Sequence, residues 1–128
     1  MQPCPFCERI ELQQFRAANE YAVAFFDVSP LSPGHTLVIP RRHEGDYFRL
    51  TEAEESAIWS TVRVVRAELE SSHAPQGYNI GVNVGRAGGQ TVDHVHVHII
   101  PRYAGDVDDP RGGIRWIIPA KARYWGDG

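Results

Sequence analysis

The chain has 128 residues, 42% hydrophobic and 23% charged, with 13 Lys and Arg against 16 Asp and Glu and a formal net charge of −3, ordinary composition for one globular domain over 1–128. That balance gives no global attraction to nucleic acid or acidic membranes, although the positive charge is nearly all arginine, Lys121 being the one lysine, and a guanidinium suits phosphate recognition. No apolar run approaches the roughly 20 residues of a transmembrane helix, and the start lacks the basic and apolar regions of a signal peptide, so the expected compartment is the cytoplasm.

Cys4-Pro5-Phe6-Cys7 opens the sequence. In a reducing compartment two thiols at this spacing read as half of a tetrahedral zinc site, as free thiols or as a redox pair. A redox motif normally follows a strand and opens a helix inside a βαβ pattern; here only three residues precede it. Residues 8–19 are polar with scattered apolar positions, which suits a short helix or a loop on a sheet. Tyr21 to Val28 is rich in β-formers and stops at Ser29-Pro30, so a strand ends in a turn with Asp27 at its exit, either capping that turn or serving as a ligand. His35-Thr36-Leu37-Val38-Ile39 is a buried strand closed by Pro40, and the two strands make a hairpin with a loop of about seven residues. His43 stands alone beyond it and unaided reads as a surface histidine.

Thr51-Glu52-Ala53-Glu54 is a capping box, and Ile58, Trp59, Val62, Val65 and Leu69 recur at three- and four-residue steps. A structural helix therefore runs from here to about Ser71, one face on a sheet. Residues 77–85 form a glycine-broken strand, and Gly85-Arg86-Ala87-Gly88-Gly89-Gln90-Thr91 follows; tandem glycines give a tight loop whose free amides can face an anion. Then comes His94-Val95-His96-Val97-His98-Ile99-Ile100. In a strand, positions 94, 96 and 98 share one face and Val95, Val97 and Ile99 the other, with like-facing residues roughly 6.6 Å apart. Half of the chain's six histidines on alternate positions of an apolar strand is a built site. Either they bind a catalytic metal, or one is a nucleophile and the others assist it. Beyond Tyr103 a polar loop (105–113) of expected mobility leads to an apolar segment (114–119) and to Tyr124 and Trp125, aromatics that pack on their own chain or on another.

The histidine strand resembles the signature of the histidine triad superfamily, His-φ-His-φ-His-φ-φ. The likeness extends over roughly residues 3–103, through Asp27, the Pro33-Gly34-His35 turn, Asn83 and Gly88-Gly89-Gln90-Thr91. It implies an α+β domain on an antiparallel sheet of about five strands with two helices, assembled as a homodimer. It also implies attack at the α-phosphate of a nucleotide conjugate, a dinucleoside polyphosphate or a nucleoside phosphoramidate, with release of a nucleoside monophosphate. By that resemblance His96 is the nucleophile, His98 contacts the α-phosphate, His35 supports the triad, Asp27 binds the ribose, and Asn83, Gly89, Gln90 and Thr91 hold the phosphates and leaving group. A bacterial-type branch binds structural zinc through residues matching Cys4, Cys7, His43 and His94, so the first 20 residues form a zinc-binding segment and 104–128 a tail. Asn83 with Asp27 resembles the phosphoramidase branch, whereas Thr91 and the Pro33-Gly34-His35 turn resemble the dinucleoside polyphosphate branch. A metallohydrolase built on the His-x-His pairs and a nucleotide-binding regulator with vestigial catalysis are the competing readings.

Overall fold

The computed structural model describes residues 3–126. Five strands, β1 (Ala17–Ala18), β2 (Ala22–Phe26), β3 (Thr36–Pro40), β4 (Gly77–Val82) and β5 (Val97–Arg102), form one antiparallel sheet in the order β1-β2-β3-β5-β4. The helices are α1 (Pro5–Glu11), α2 (Glu52–Ser72) and a single turn, α3 (Pro119–Ala122); α1 and α2 are the two that the sequence implies. No helix among the described residues is long and apolar enough to cross a membrane.

Strand alternation divides the core. Ala22, Ala24, Val38, Val97 and Ile99 face α2, whose Ile58, Val62, Val65 and Leu69 close over them. Val23, Phe25, Leu37 and Ile39 face the other way, beneath Phe6 and Ile10 of α1 and Phe15. Fully burying a side chain of this size contributes about 1.5–3 kcal/mol, so α2 is held by its stripe; Trp59, expected on that stripe, is 39% exposed at its margin. The capping box forms as the sequence implies: the Glu54 amide donates to Thr51 Oγ1 at 3.1 Å, and the Thr51 amide donates to Glu54 Oε1 at 2.9 Å. Glu54 is buried and also accepts from Nε and Nη2 along one edge of the Arg42 guanidinium, at 3.0 and 2.9 Å.

Two elements differ from the sequence reading. The helix expected somewhere in 8–19 begins at Pro5, inside the cysteine motif, with Cys4 as its N-cap; proline suits the first helical position because its missing N–H is unpaired there in any case. The histidine strand pairs only from Val97 onward, leaving His94, Val95 and His96 outside the ladder. The register explains this. Val97 lies opposite Val38, so continuing the ladder would bring Val95 against Pro40, which has no N–H to give. The Val95 amide donates instead to the Glu44 carbonyl at 2.7 Å.

Glu54 generates a stability prediction. The Arg42 guanidinium and then the Thr51 amide outweigh its burial and hold its carboxyl at about 2, below the ordinary 4.5. A carboxyl depressed by folding stabilises the fold above its unfolded value, and that contribution fades as pH falls from about 4.5 to about 2. Arg42 is half exposed, so screening keeps the effect small. Glu54→Gln is expected to cost about 1 kcal/mol at pH 7 in denaturant unfolding, with the gap to wild type closing across that acid range.

Candidate active site and metal centre

Four hydrogen bonds assign the protons of the site. A carbonyl oxygen only accepts, so Nε2 of His94, 2.8 Å from the Pro40 carbonyl, and Nδ1 of His96, 2.9 Å from the His94 carbonyl, each carry a proton. The lone pair of neutral His94 is then on Nδ1 and that of neutral His96 on Nε2. The Leu31 amide donates to His35 Nδ1 at 3.0 Å, which puts the His35 proton on Nε2, 3.0 Å from His98 Nδ1. His98 accepts there and keeps its own proton on Nε2, free to donate outward. The three histidines thus do different work although they alternate along one segment. Asp27, Asn83 and Thr91 sit in the loops around them.

Burial, and then the neighbouring His96 and His35, push His98 down to about 4 against an opposing pull from Asp27. Burial also lowers His35, again opposed by Asp27. Of the two roles the sequence left open, Asp27 takes the turn cap, Oδ1 accepting the Ser29 amide at 2.9 Å, while Oδ2 lies 3.5 Å from His35 Nε2. Asp27, His35 and His98 stand close enough to hold a cation. The His35 to His98 hydrogen bond uses up the facing nitrogens, however, so the cluster reads as a proton-ordered relay.

At the other end, Cys4, Cys7, His43 and His94 bring ligand atoms within 4.8 Å of one another. His94 presents Nδ1, the nitrogen with the lone pair, at 3.5 Å from Cys4 Sγ and 3.6 Å from Cys7 Sγ, and His43 Nδ1 is 3.3 Å from Cys7 Sγ. A tetrahedral zinc with sulfur at about 2.3 Å and nitrogen at about 2.05 Å has a sulfur-to-nitrogen edge of about 3.6 Å, so this donor set fits a Cys-x-x-Cys zinc site. Burial and the adjacent Cys4 push the Cys7 thiol up to about 11, a corner in which two thiolates need a cation. Both sulfurs are free of any disulfide.

The glycine loop departs from expectation. The Gly88, Gly89 and Gln90 amides donate to Gly85, Arg86 and Gly85 carbonyls within the turn, so they are not open to an anion. The Gln90 side chain is likewise spent: Oε1 accepts the Gly85 amide at 2.9 Å, and Nε2 donates to the Gly45 carbonyl at 2.8 Å and the Val92 carbonyl at 3.1 Å. Gly89 and Gln90 therefore shape the loop, while exposed Asn83 and Thr91 make no side-chain hydrogen bond among the described residues. Sequence reasoning missed Phe6, whose ring meets His96 edge-on at 5.1 Å and His94 at 5.9 Å; its place between the two cysteines was the available signal.

The HIT domain matches residues 13–105. The chain belongs to the histidine triad (HIT) family. An uncharacterized HIT-like protein of Methanocaldococcus jannaschii is 39% identical over 108 residues, 80% of this chain and 81% of that one. The asymmetrical bis(5′-nucleosyl)-tetraphosphatase of Schizosaccharomyces pombe is 41% identical over 91 residues, 71% of this chain and 50% of that enzyme. The crystal structure of a Zn-bound histidine triad family protein from Mycobacterium smegmatis shares the fold with a TM-score of 0.74 at 30% identity, over 80% of this chain and 77% of that one.

The proton assignment is testable in solution. Nitrogen-15 NMR of the HIT site is expected to show His98 neutral, protonated on Nε2 and untitrated between pH 5 and 8, because its pKa lies at about 4. A His98 that titrates near the ordinary 6.5 would contradict the relay.

Proposed function

We propose that this HIT protein is a nucleotide hydrolase or transferase that works through a nucleotidyl-histidine intermediate on His96. The observation that carries the reading is the 2.9 Å bond from His96 Nδ1–H to the His94 carbonyl, which aims the Nε2 lone pair outward beside His98. In the first step Nε2 attacks the α-phosphorus, a P–N bond forms, and the bond from phosphorus to the leaving group breaks. The positive charge that develops on the imidazole is stabilised by the carbonyl already bonded to Nδ1, which is electrostatic preorganisation. In the second step water attacks phosphorus, the P–N bond breaks, His96 returns as neutral imidazole and a nucleoside monophosphate leaves. His98 donates from Nε2 to a non-bridging oxygen, and His35 orders that proton. Asp27 binds the ribose hydroxyls of a purine nucleotide or dinucleotide, and Asn83 and Thr91 contact the phosphates above the loop that Gly89 and Gln90 shape.

The metal we assign is zinc, held by Cys4, Cys7, His43 and His94. Four protein ligands close the coordination, so it supplies structure and no step of the reaction. The Zn-bound mycobacterial relative supports this, and the yeast tetraphosphatase supports the substrate class. We assign the chain to the cytoplasm, where its thiols stay reduced, as a homodimer that engages neither nucleic acid nor membrane.

Two outcomes test these assignments. His96→Asn is expected to lower turnover by a factor of at least about a thousand while nucleotide affinity stays within about tenfold, since ribose and base contacts lie elsewhere; turnover retained in that variant excludes the mechanism. Purified protein is expected to carry one zinc per chain. Cys4→Ser with Cys7→Ser should release it and lower the melting temperature, because metal binding energy is folding energy. A chain that folds as stably without zinc refutes that assignment.

A further inference from the structure

Among the described residues, Arg9, Arg16, Arg41, Arg66, Arg111 and Arg115 each stand over an aromatic ring. All but the first are also held by their donors: Arg16 by Thr36 and Glu68, Arg41 by the Asn19 carbonyl, Arg66 by Glu70, Arg111 by Asp109, and Arg115 by the Ala122 and Lys121 carbonyls. Arg9 is different. Its Cζ lies 4.8 Å from the Phe25 centroid, and its guanidinium makes no hydrogen bond or ion pair with any described residue. A guanidinium carries five N–H donors in a planar fork and no acceptor. Stacking on a ring orients that plane, so half-buried Arg9 presents an oriented and unused set of donors.

That fork overlooks the histidine site. Phe25 faces α1 rather than α2; it pairs across the sheet with Leu37, which pairs with His98, and two strand spacings put it roughly 9.6 Å from His98. Asp27 continues the β2–β3 pairing by one bond, its amide donating to the His35 carbonyl at 2.9 Å. Its side chain therefore shares the face of Phe25, roughly 6.6 Å along the strand. Phe6 stands 5.5 Å from Phe25 and 5.1 Å from His96 and closes the direct line between them. A nucleoside whose phosphate meets His98 and whose ribose meets Asp27 lays its base along the β2 side of Phe6, at the guanidinium of Arg9.

The bases differ in what they offer such a fork. Guanine presents two adjacent acceptors, O6 and N7, on one edge, whereas adenine presents N7 beside an amino donor. A group that only donates meets guanine with two bonds; against adenine it makes one and sets N–H against N–H. Held on Phe25, the fork is also too far from His98 to share a phosphate with it.

We infer that Arg9 is a specificity-determining residue that makes this chain select a guanine nucleotide, two of its N–H groups donating to O6 and N7. This rests on the nucleotide-transfer function proposed above and narrows the purine of the transferred half to guanine. The probes are GMP and AMP, titrated into the purified protein in a calorimeter. The wild type is expected to bind GMP about tenfold more tightly than AMP. Arg9→Met keeps an unbranched, helix-compatible side chain on Phe25 and brings the two affinities within about twofold, the loss falling on GMP. Arg9→Lys keeps the charge without the fork and retains at most about a threefold preference, which separates bidentate reading from simple attraction of charge. Equal affinities in the wild type, a preference for AMP, or a tenfold preference that survives in either variant overturns the inference. Turnover keeps its failure apart from that of the underlying function. Guanosine and adenosine 5′-phosphoramidates, or diguanosine and diadenosine triphosphates, hydrolysed with equal kcat/KM overturn the base selection alone. A GMP preference without turnover of any of the four leaves Arg9 as a guanine reader and overturns the proposed hydrolase, and a wild type that binds neither nucleotide overturns both.

Discussion

The 2.8 Å bond from His94 Nε2–H to the Pro40 carbonyl is the constraint on which the site depends. It fixes the His94 tautomer and so turns Nδ1 toward the sulfurs. It ties the end of β3 to a segment that has no ladder there. It also holds the His94 peptide where its carbonyl can receive Nδ1–H of His96, and that second bond selects Nε2 as the free nitrogen of His96. One proline carbonyl thereby orders two imidazoles, because each ring has only two nitrogens and committing one decides the other.

The Cys4, Cys7, His43 and His94 cluster and His96 are joined through the same short stretch. Phe6 stands between Cys4 and Cys7 and packs edge-on against His96, so the turn that offers the sulfurs also walls the His96 ring. On the opposite side, the loop after His43 is fastened to the triad segment by Val95 N–H to the Glu44 carbonyl and by Gln90 Nε2 to the Gly45 carbonyl. Gly45 packs so closely under Asp93 that a Cβ would lie 2.0 Å from its carboxylate oxygen. These contacts make the loop after His43, the glycine loop and the triad segment one packed unit, the kind of supporting layer that holds side chains to within a fraction of an ångström.

How much of this could be read in the sequence varies with the physics of each part. Helix α2 was legible from Thr51 to its last turn because capping and periodicity are local. The alternation of His94, His96 and His98 marked the site, and the resemblance to the histidine triad signature assembled Cys4, Cys7, His43 and His94, which no local rule joins across 90 residues. Pairing was not legible: the absence of a ladder before Val97 depends on Pro40 arriving opposite, a tertiary fact. The free amides expected of Gly88-Gly89-Gln90 were absent because the turn consumes them internally, which residue types alone do not reveal. The loop 105–113 read as mobile because its order comes from Gly113 meeting Asn79 and from Arg111 and Gly112 meeting Trp125, contacts between distant or conformationally unusual residues.

The proposed function consists of two displacements at one phosphorus, the first by His96 Nε2 and the second by water. Each in-line displacement inverts configuration, so the pair restores it. Hydrolysis of a substrate with an isotopically chiral α-phosphorothioate in labelled water, with the product configuration read by phosphorus NMR, is the most direct test. Net retention is the result expected of a nucleotidyl-histidine intermediate; net inversion would mean that water attacks the substrate directly and that His96 is not the nucleophile.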